Sequence, residues 1–307
     1  MKVLFAGTPA VAIPALEALL AAGFDVVGVL SRPDAPLGRK RVMTPSPVAA
    51  RAQELGLPIL KAAKVDDVAQ SVIAAWQPEV AAIVAYGALI PKAALTIPRH
   101  GWINLHFSLL PAWRGAAPVQ HAVIHGDELT GASTFLLEAG LDTGPVYGTV
   151  TEPIQAEDTS SVLLNRLSHS GAVLLQQTLA AIETGSVVPV PQSGEVSLAP
   201  KLGLDDARID FTQPALAISR RIRGVTAEPG AWALLAGQRF KFGPVTLRVE
   251  QSDLQPGQLR VLNGNTALVG TGSHAVELGQ VQAAGKKMMP AADWLRGLAV
   301  ADDMRFE

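Results

Sequence analysis

The start of the chain alternates apolar runs with a helical pattern, and this alternation limits the fold more than any other feature. Residues 3–6 form a short apolar run that ends at Gly7. Residues 13–22 then repeat Leu and Ala at helical spacing, and residues 26–30 form a second apolar run. A strand, a helix and a second strand in this order predict the start of a parallel α/β sheet, which binds ligands at the carboxyl ends of its strands.

The same alternation continues along much of the chain. The sequence predicts further strands at residues 80–85, 101–107 and 132–137, and helices at residues 46–55 and 160–184. The nearly unbroken apolar character of the strands is typical of strands that helices cover on both faces. We therefore expect an α/β domain with a Rossmann-like parallel sheet over residues 1–186.

The rest of the chain has a different pattern. Residues 187–204 are rich in Pro, Ser, Gly and Val without a helical period, and we interpret them as a linker. Beyond them, a short helical pattern at 215–223 precedes short strand-like runs that are separated by turn residues such as Asn263-Gly264. These runs predict a second domain, residues 205–307, built as a small β-barrel.

Composition excludes several kinds of chemistry. The 307 residues include no cysteine, which excludes disulfides, thiolate metal sites and a cysteine nucleophile.

The chain opens without a signal-like segment, and the apolar run at 80–90 is too short to cross a bilayer. We therefore expect a soluble cytoplasmic protein without a membrane partner, and we expect it to be a monomer.

Charge is distributed unevenly along the chain. Residues 1–204 carry 13 Lys/Arg against 16 Asp/Glu, whereas residues 205–307 carry 12 against 11. Basic residues cluster at 39–41, 220–223 and 286–287. A polyanion bound at particular places would fit these clusters, although a solvated surface is the simpler explanation of any single one.

The stretch NLHFSLLPAWRG at residues 104–115, followed by GLDTG at 140–144, is the strongest candidate for a site. Asn104 and His106 are two apart in a predicted strand, so both face the same side of the sheet. An imidazole can move a proton near neutral pH, a carboxylate such as Asp142 can fix its tautomer, and an amide can donate to a developing oxyanion. These residues indicate acyl transfer to an amine or hydroxyl of the substrate.

Alternative interpretations exist for the histidines. His106 could be a satisfied core histidine and Asp142 a turn residue, but a polar set placed where a strand is predicted to end favours a functional interpretation. His121 and His125 lie four residues apart in a predicted helix and could ligate a metal. No third ligand accompanies them, so we expect no metal site.

The stretches NLHFSLLPAWRGAAP and GLDTG resemble the formyltransferases that use 10-formyltetrahydrofolate. The resemblance implies that Asn104 polarises the formyl group, that His106 assists proton transfer, and that Asp142 orients His106. It also implies that the folate cosubstrate is bound, largely through backbone groups, by residues of three segments. These residues are Tyr86, Gly87, Ala88, Leu89 and Ile90, then Ser108, Leu109, Leu110 and Pro111, then Glu138, Gly140 and Leu141.

Other segments resemble the branch of this family that formylates the α-amino group of methionine on initiator Met-tRNA. They are FAGTPAVAIPALEALL, RPDAPLGRKRVMTPSPVAARAQELGLPIL, DDARIDF and GKKMMPAADWLRG. This likeness implies an OB-like second domain and a basic loop at 34–44, in which the guanidinium of Arg39 can stack on bases and pair with phosphates. The residues expected to bind tRNA are Arg39, Lys40, Arg41, Arg220, Arg223, Lys286 and Lys287.

Two other functions are compatible with the sequence. One is formyl transfer to a small amine, such as a nucleotide sugar or glycinamide ribonucleotide. The other is a tRNA- or folate-binding module without catalysis. The basic loop and the second domain argue against a small acceptor, and the intact set of Asn104, His106 and Asp142 argues against a module without catalysis.

Overall fold

The computed structural model describes residues 1–38, 40–297 and 304–307, which form two compact units. The first unit comprises Met1–Pro118, Leu129–Pro153 and Leu164–Ala199. The second unit comprises Val119–Glu128, Ile154–Leu163 and Pro200–Glu307. Residues 187–199 of the predicted linker therefore belong to the first unit, and residues 200–204 belong to the second.

Strands and helices alternate through the first part of the chain, as the apolar pattern predicts. The strands are β1 (Lys2–Gly7), β2 (Asp25–Ser31), β3 (Ala35–Leu37), β4 (Val42–Thr44), β5 (Ile59–Lys61), β6 (Val80–Val84), β7 (Trp102–His106), β8 (Arg114–Gly115), β9 (Leu129–Leu136), β10 (Val146–Pro153) and β11 (Leu198–Ala199). The helices are α1 (Ile13–Ala21), α2 (Pro47–Glu54), α3 (Asp67–Trp76), α4 (Lys92–Leu95), α5 (Pro118–His125) and α6 (Ser160–Thr184), with a 3-10 turn at Ala10–Ala12.

The first unit is built on a seven-stranded sheet in the order β10-β9-β7-β6-β1-β2-β5. Strands β5, β2, β1, β6 and β7 run parallel, which confirms the predicted Rossmann-like arrangement. At one edge, β9 runs antiparallel to β7, and β10 runs antiparallel to β9. An apolar run does not encode strand direction, so the sequence pattern alone could not show this reversal.

Two helices of the first unit begin at residues that satisfy free backbone N–H groups. The Ser46 hydroxyl accepts from the N–H of Ala49 at 3.1 Å, ahead of Pro47 in the first turn of α2. The Asp66 carboxylate accepts from the N–H of Ala69 at 3.0 Å and caps α3 in the same way. These caps explain why both helices begin where they do.

The segment expected to be a basic loop contains an antiparallel hairpin of β3 and β4. Its side chains Leu37, Val42 and Met43 are each about 60 % exposed. Lys40 and Arg41 are exposed in the turn, whereas Arg39 lies outside the described residues. The hairpin thus carries apolar and basic side chains together on its surface.

The second unit is made of short antiparallel strands around one hydrophobic core. The strands are β12 (Trp232–Leu235), β13 (Gln238–Phe242), β14 (Val245–Arg248), β15 (Leu259–Leu262), β16 (Thr266–Val269), β17 (Ala275–Leu278), β18 (Gln280–Gln282) and β19 (Met289–Pro290), with helices α7 (Ala215–Gly224) and α8 (Ala291–Leu295) and a 3-10 turn at Asp205–Ala207. They form two four-stranded sheets, β12-β13-β18-β19 and β14-β17-β16-β15. The predicted second domain of antiparallel strands is confirmed.

Aromatic rings fill the centre of the second unit. Phe240 lies 5.4 Å from Phe242 and 5.2 Å from Phe306 between ring centroids, and Trp294 lies 4.8 Å from Phe240. The β-strand residues Val276 and Val281 pack in the same buried cluster. Side chains from both sheets therefore share one core. Among the described residues of either unit, no helix has the length and apolar character needed to span a bilayer.

Gly28, in the middle of β2, allows the indole of Trp76 to lie directly on the sheet. A Cβ at position 28 would sit 2.3 Å from the Trp76 ring. We expect Gly28→Ala to lower the free energy of unfolding by about 1–3 kcal/mol, because the ring must move out of a well-packed core. Urea unfolding, with hydrogen exchange of the β1 and β2 amides, measures this loss.

A matched substitution at Gly203 provides the control for that experiment. The nearest atom to a Cβ there is an Asp206 carboxylate oxygen at 3.6 Å, an ordinary contact. Gly203→Ala should leave β1 and β2 protected as in the parent chain. Equal exchange in the two variants would contradict the packing that we describe for Gly28.

Candidate active site

Two candidate residues lie on β7, next to the middle of the sheet. Asn104 pairs with Ile83 of β6 and with Phe135 of β9, and His106 pairs with Ser133. Asn104 is partly exposed, whereas His106 is only 7 % exposed. Because they are two apart in one strand, they project from the same face of the sheet.

The buried ring of His106 is anchored through one of its nitrogens. Its Nε2 atom lies 2.9 Å from the carbonyl oxygen of Trp113. A carbonyl oxygen can only accept, so Nε2 carries the proton and donates this hydrogen bond. In the neutral ring, the lone pair that can take up a proton is therefore on Nδ1.

Asp142 faces that second nitrogen. Its Oδ2 atom lies 3.8 Å from His106 Nδ1 and accepts a hydrogen bond of 2.8 Å from the N–H of Gly115. The Asp142 side chain is 13 % exposed. The carboxylate is too far from Nδ1 for a direct hydrogen bond, but it is close enough to stabilise a proton there by charge.

Burial lowers the pKa of His106 below its ordinary value, while the negative charge of Asp142 and the hydrogen bond to Trp113 act in the opposite direction. Burial is the largest of the three effects, because a charged imidazolium loses its hydration in an apolar site. The ring is therefore neutral at neutral pH and can accept a proton at Nδ1. This is the state that a general base requires.

The amide of Asn104 makes no side-chain hydrogen bond to any described part of the chain. It is therefore available to donate to an oxygen atom of a ligand. An amide N–H on the same face as a neutral imidazole can stabilise negative charge on a carbonyl oxygen while the imidazole moves a proton. The sequence predicts this combination, and the structure places its three members on adjacent segments.

The loop that follows β7 is fixed by buried hydroxyl groups. Ser133 donates to the carbonyl oxygen of Ser108 at 2.7 Å and accepts from the N–H of Leu110 at 3.1 Å. Ser108 donates in turn to the carbonyl oxygen of Ala112 at 2.5 Å. The loop therefore presents the carbonyl of Trp113 to His106 from a rigid base.

Gly144 explains why the segment that carries Asp142 can approach β9 so closely. A Cβ at this position would lie 1.7 Å from the carbonyl oxygen of Leu136. Only glycine leaves room for this approach. The second glycine of GLDTG is thus required by packing, in addition to any role in a ligand site.

The three segments expected to bind a folate are brought to the surroundings of β7, but their residues differ in accessibility. Ser108 and Pro111 are buried, and Leu109 and Leu110 are partly buried. In the segment after β6, Gly87 and Leu89 are exposed, and Ala88 and Ile90 are partly exposed. In the segment after β9, Glu138, Gly140 and Leu141 are all exposed.

Two residues of these segments have their polar groups engaged within the protein. The Tyr86 hydroxyl donates to the carbonyl oxygen of Ala62 at 2.7 Å, and the Tyr86 carbonyl oxygen accepts from the Thr8 hydroxyl at 2.7 Å. The Glu138 carboxylate accepts from the hydroxyl of Thr143 at 2.6 Å. Tyr86 is 1 % exposed, so its ring belongs to the core beneath the segment.

The basic residues expected to bind tRNA lie in separate parts of the fold. Lys286 and Lys287 are exposed between β18 and β19. Arg220 is partly buried and packs over Gly126. Arg223 is partly buried and donates to the carbonyl oxygen of Asp158 at 2.8 Å, and its burial lowers the pKa of the guanidinium. Of these four residues, Lys286 and Lys287 are the most accessible.

Sequence reasoning missed a residue of the predicted linker that contacts this site. Gln192 donates from its side-chain amide to the carbonyl oxygens of Asp142 and Gly144, both at 2.8 Å. Arg114 donates to the Gln192 side-chain oxygen. A glutamine in a Pro- and Ser-rich stretch carries no sequence signal for this role, because its partners are about fifty residues away.

Within residues 1–38, 40–297 and 304–307, no group of three or more His, Cys, Asp or Glu side chains is arranged to hold a metal ion. His121 and His125 stack with ring centroids 5.8 Å apart. The Nε2 atom of His121 lies 3.0 Å from the carbonyl oxygen of Pro200, and the Nδ1 atom of His125 lies 2.8 Å from the carbonyl oxygen of His121. These contacts bind both rings to backbone groups.

Strand β7, next to the middle of this largely parallel sheet, carries an amide and a neutral imidazole with a carboxylate alongside, and this arrangement is suited to acyl transfer. The chain matches the family model of formyl transferases over residues 1–179 and the model of their C-terminal domain over residues 201–299. It belongs to the formyl transferase family.

Relatives and solved structures extend this result. The methionyl-tRNA formyltransferase of Renibacterium salmoninarum is 71 % identical over 306 residues, which cover 100 % of this chain and 99 % of that protein. The methionyl-tRNA formyltransferase of an Arthrobacter species is 68 % identical over 307 residues, covering 100 % of both chains. The N-formyltransferase of Helicobacter canadensis, solved with folinic acid and dTDP-3-aminofucose, shares the fold with a TM-score of 0.71, 16 % identity and coverage of 92 % of this chain and 100 % of that one.

Removal of the negative charge beside His106 tests the electrostatics of this site. Because Asp142 raises the pKa of His106, Asp142→Asn should lower that pKa further below its ordinary value. NMR titration of the His106 ring in the full chain measures the change. The substituted amide still has an oxygen that can accept from Gly115, so the loop keeps its hydrogen bond.

An exposed acidic residue of the same unit provides the control for this titration. Glu54, at the end of α2, pairs with Arg51, and its charge is not among those that shift the pKa of His106. Glu54→Gln should leave the His106 titration unchanged. A rise in the His106 pKa in Asp142→Asn would contradict the proposed role of the Asp142 charge.

Proposed function

We propose that the chain transfers the formyl group of 10-formyltetrahydrofolate to the α-amino group of methionine on initiator Met-tRNA. The observation that carries this proposal is the match along the whole chain to methionyl-tRNA formyltransferases, at 71 % identity in one of them. The geometry of Asn104, His106 and Asp142 supports the chemical part. The choice of acceptor depends on other segments, because the same fold occurs in a protein solved with an amino sugar nucleotide.

The proposed reaction begins with the attack of the neutral amine on the formyl carbon. A bond forms between the amine nitrogen and this carbon, and the carbonyl oxygen becomes an oxyanion that accepts a hydrogen bond from the Asn104 amide. His106 takes the proton of the attacking nitrogen at Nδ1, where the charge of Asp142 stabilises the imidazolium. The bond between the carbon and the folate nitrogen then breaks, and His106 returns the proton to that nitrogen.

The folate would lie along the exposed backbone that flanks β7. The segments after β6 and β9 expose Gly87, Gly140 and Leu141, and their backbone groups can pair with the polar edge of a pterin. The buried loop from Ser108 to Pro111 would support the site from below. We propose that the exposed and partly exposed residues of these three segments contact the folate, and that the buried Tyr86, Ser108 and Pro111 support them from within the core.

The tRNA would be bound by the hairpin of β3 and β4 and by basic residues of the second unit. Lys40, Arg41, Lys286 and Lys287 are exposed and can neutralise phosphates. Arg39 is assigned by resemblance, and Arg220 and Arg223 would supply charge from α7. Because initiator tRNA is used in the cytoplasm, we propose that the protein acts there. We also propose that it is a monomer, which sedimentation equilibrium would detect as a single species of 32.1 kDa.

An assay with several acceptors tests the proposed activity. The full chain is mixed with 10-formyltetrahydrofolate and with initiator Met-tRNA, a nucleotide-linked amino sugar or glycinamide ribonucleotide, and the formylated product is identified by mass spectrometry. We expect formylation of Met-tRNA alone. Formylation of a small amine without formylation of Met-tRNA would contradict the proposed acceptor, and binding of tRNA without any formyl transfer would favour a module without catalysis.

Two substitutions test the chemical roles in the same assay. His106→Ala and Asn104→Ala should each lower the turnover number by roughly 100-fold or more, because one removes the proton acceptor and the other an oxyanion donor. His169 and Asn165 are exposed on α6 and serve as matched controls. Turnover in His106→Ala equal to that of His169→Ala would refute the assignment of His106.

The interaction of the second unit with tRNA has its own test. Replacement of Lys286 and Lys287 by Ala should raise the KM for Met-tRNA and reduce its dependence on salt, by about one unit of log–log slope for each phosphate that is no longer neutralised. The KM for the folate should not change. Lys64→Ala, at an exposed lysine of the first unit, is the control. An unchanged salt dependence in the double variant would remove these lysines from the tRNA site.

A further inference from the structure

We propose that Gln192 is a positioning residue for formyl transfer, which holds the segment carrying Asp142 against the loop that holds His106. The inference rests on the proposed function for its effect on turnover. Gln192 lies in a stretch that sequence alone assigns to a linker, yet every polar atom of its side chain is engaged in the first unit. It does not touch a reacting atom, and it acts through Asp142.

The two N–H groups of the Gln192 amide hold the backbone on both sides of Thr143. They donate to the carbonyl oxygens of Asp142 and Gly144 at 2.8 Å each. Asp142 itself has a φ of +50°, in the left-handed region that L-residues seldom adopt. The segment that carries Asp142 has no regular secondary structure. The two hydrogen bonds from Gln192 therefore help to fix the conformation of Asp142.

The oxygen of the same amide is bound by the loop on the other side of the site. Arg114 donates to it from Nη2 at 2.7 Å and from Nε at 3.1 Å. The residue before Arg114 supplies the carbonyl that accepts from His106, and the residue after it supplies the N–H that donates to Asp142. Three successive residues therefore hold the ring, the Gln192 amide and the carboxylate.

The chain beyond Gln192 strengthens this arrangement. The hydroxyl of Ser197 accepts from the N–H of Trp113 at 2.8 Å, and β11 pairs in parallel with β8. Residues 192–199 thus form one border of the loop at 113–115. Their contacts with the loop and with Asp142 all lie inside the first unit.

The distance between Asp142 Oδ2 and His106 Nδ1 depends on these contacts. The N–H of Gly115 holds the carboxylate, and Gln192 holds the backbone that carries it. A displacement of about 1 Å in such a pair can cost up to about 100-fold in rate. Asp142 is the charged group that raises the pKa of His106. The guanidinium of Arg114, on the facing loop, donates to Gln192.

Gln192→Met and Gln192→Glu test the proposal in the full chain. Methionine has a similar length but no hydrogen bonds, whereas glutamate keeps an acceptor for Arg114 and loses both donors. We expect the turnover number with Met-tRNA to fall about 10-fold or more in each variant, with KM values for both substrates changed by less than about twofold. Normal turnover in Gln192→Glu would overturn the proposal, because it would show that the donors are not needed.

Titration of His106 by NMR gives a readout that does not depend on the acceptor. If Gln192 holds Asp142 in place, Gln192→Met should lower the His106 pKa, because the charge that raises it moves away. A parent chain whose His106 titrates with the lowered pKa described above, but which does not formylate Met-tRNA, would refute the proposed function alone. An unchanged His106 pKa in Gln192→Met would refute the positioning role alone.

Gln177→Met is the matched control, since this glutamine is exposed on α6 in the same unit. It should leave both turnover and the His106 pKa as in the parent chain. Arg114→Met completes a double-mutant cycle with Gln192→Met. The loss of turnover in the double variant, expressed as a free energy, should be less than the sum of the losses in the two single variants, because both side chains act in one network. A fully additive double variant, or an increase in KM without loss of turnover, would count against the proposal.

Discussion

The backbone of residues 113–115 determines what surrounds one buried imidazole, and the proposed chemistry of this protein depends on those surroundings. The carbonyl of Trp113 accepts a hydrogen bond from the N–H at Nε2 of His106, which leaves the lone pair on Nδ1. The N–H of Gly115 holds the carboxylate of Asp142 near that lone pair. Burial lowers the pKa of the ring and keeps it neutral. The negative charge of Asp142 lowers the free-energy cost of protonating the buried ring.

The sheet supplies the rigid base for this arrangement. Asn104 pairs with strands on both sides of β7 and His106 pairs with β9, so their relative position on one face is set by backbone geometry. Asp142, by contrast, lies in a segment without regular structure and depends on individual hydrogen bonds. A strand therefore carries two members of the set, and a network of side chains positions the third.

We propose that the acceptor is selected by other segments of the molecule. An amide, an imidazole and a carboxylate can serve formyl transfer to many amines, and the fold is shared with a protein solved with an amino sugar nucleotide. The exposed basic and apolar side chains of the β3–β4 hairpin and the exposed lysines after β18 suit the proposed polyanion acceptor. The proposed catalytic residues and the proposed acceptor-binding residues thus lie in separate segments of the chain.

The sequence by itself determined the α/β sheet, the second unit of antiparallel strands and the candidate residues Asn104, His106 and Asp142. This was possible because the spacing of apolar residues and short motifs can be recognised from residues that are close together in the chain. Only the tertiary structure decided strand direction at the edge of the sheet, the tautomer of His106 and the contacts of Gln192. The strand direction and the Gln192 contacts depend on groups far apart in the chain, such as the Gln192 amide and the carbonyl of Asp142. The tautomer depends on the folded shape of the loop that brings the Trp113 carbonyl back to His106. Hydrogen bonds between distant segments leave no periodic signal, so the apparent linker could be understood only in the folded protein.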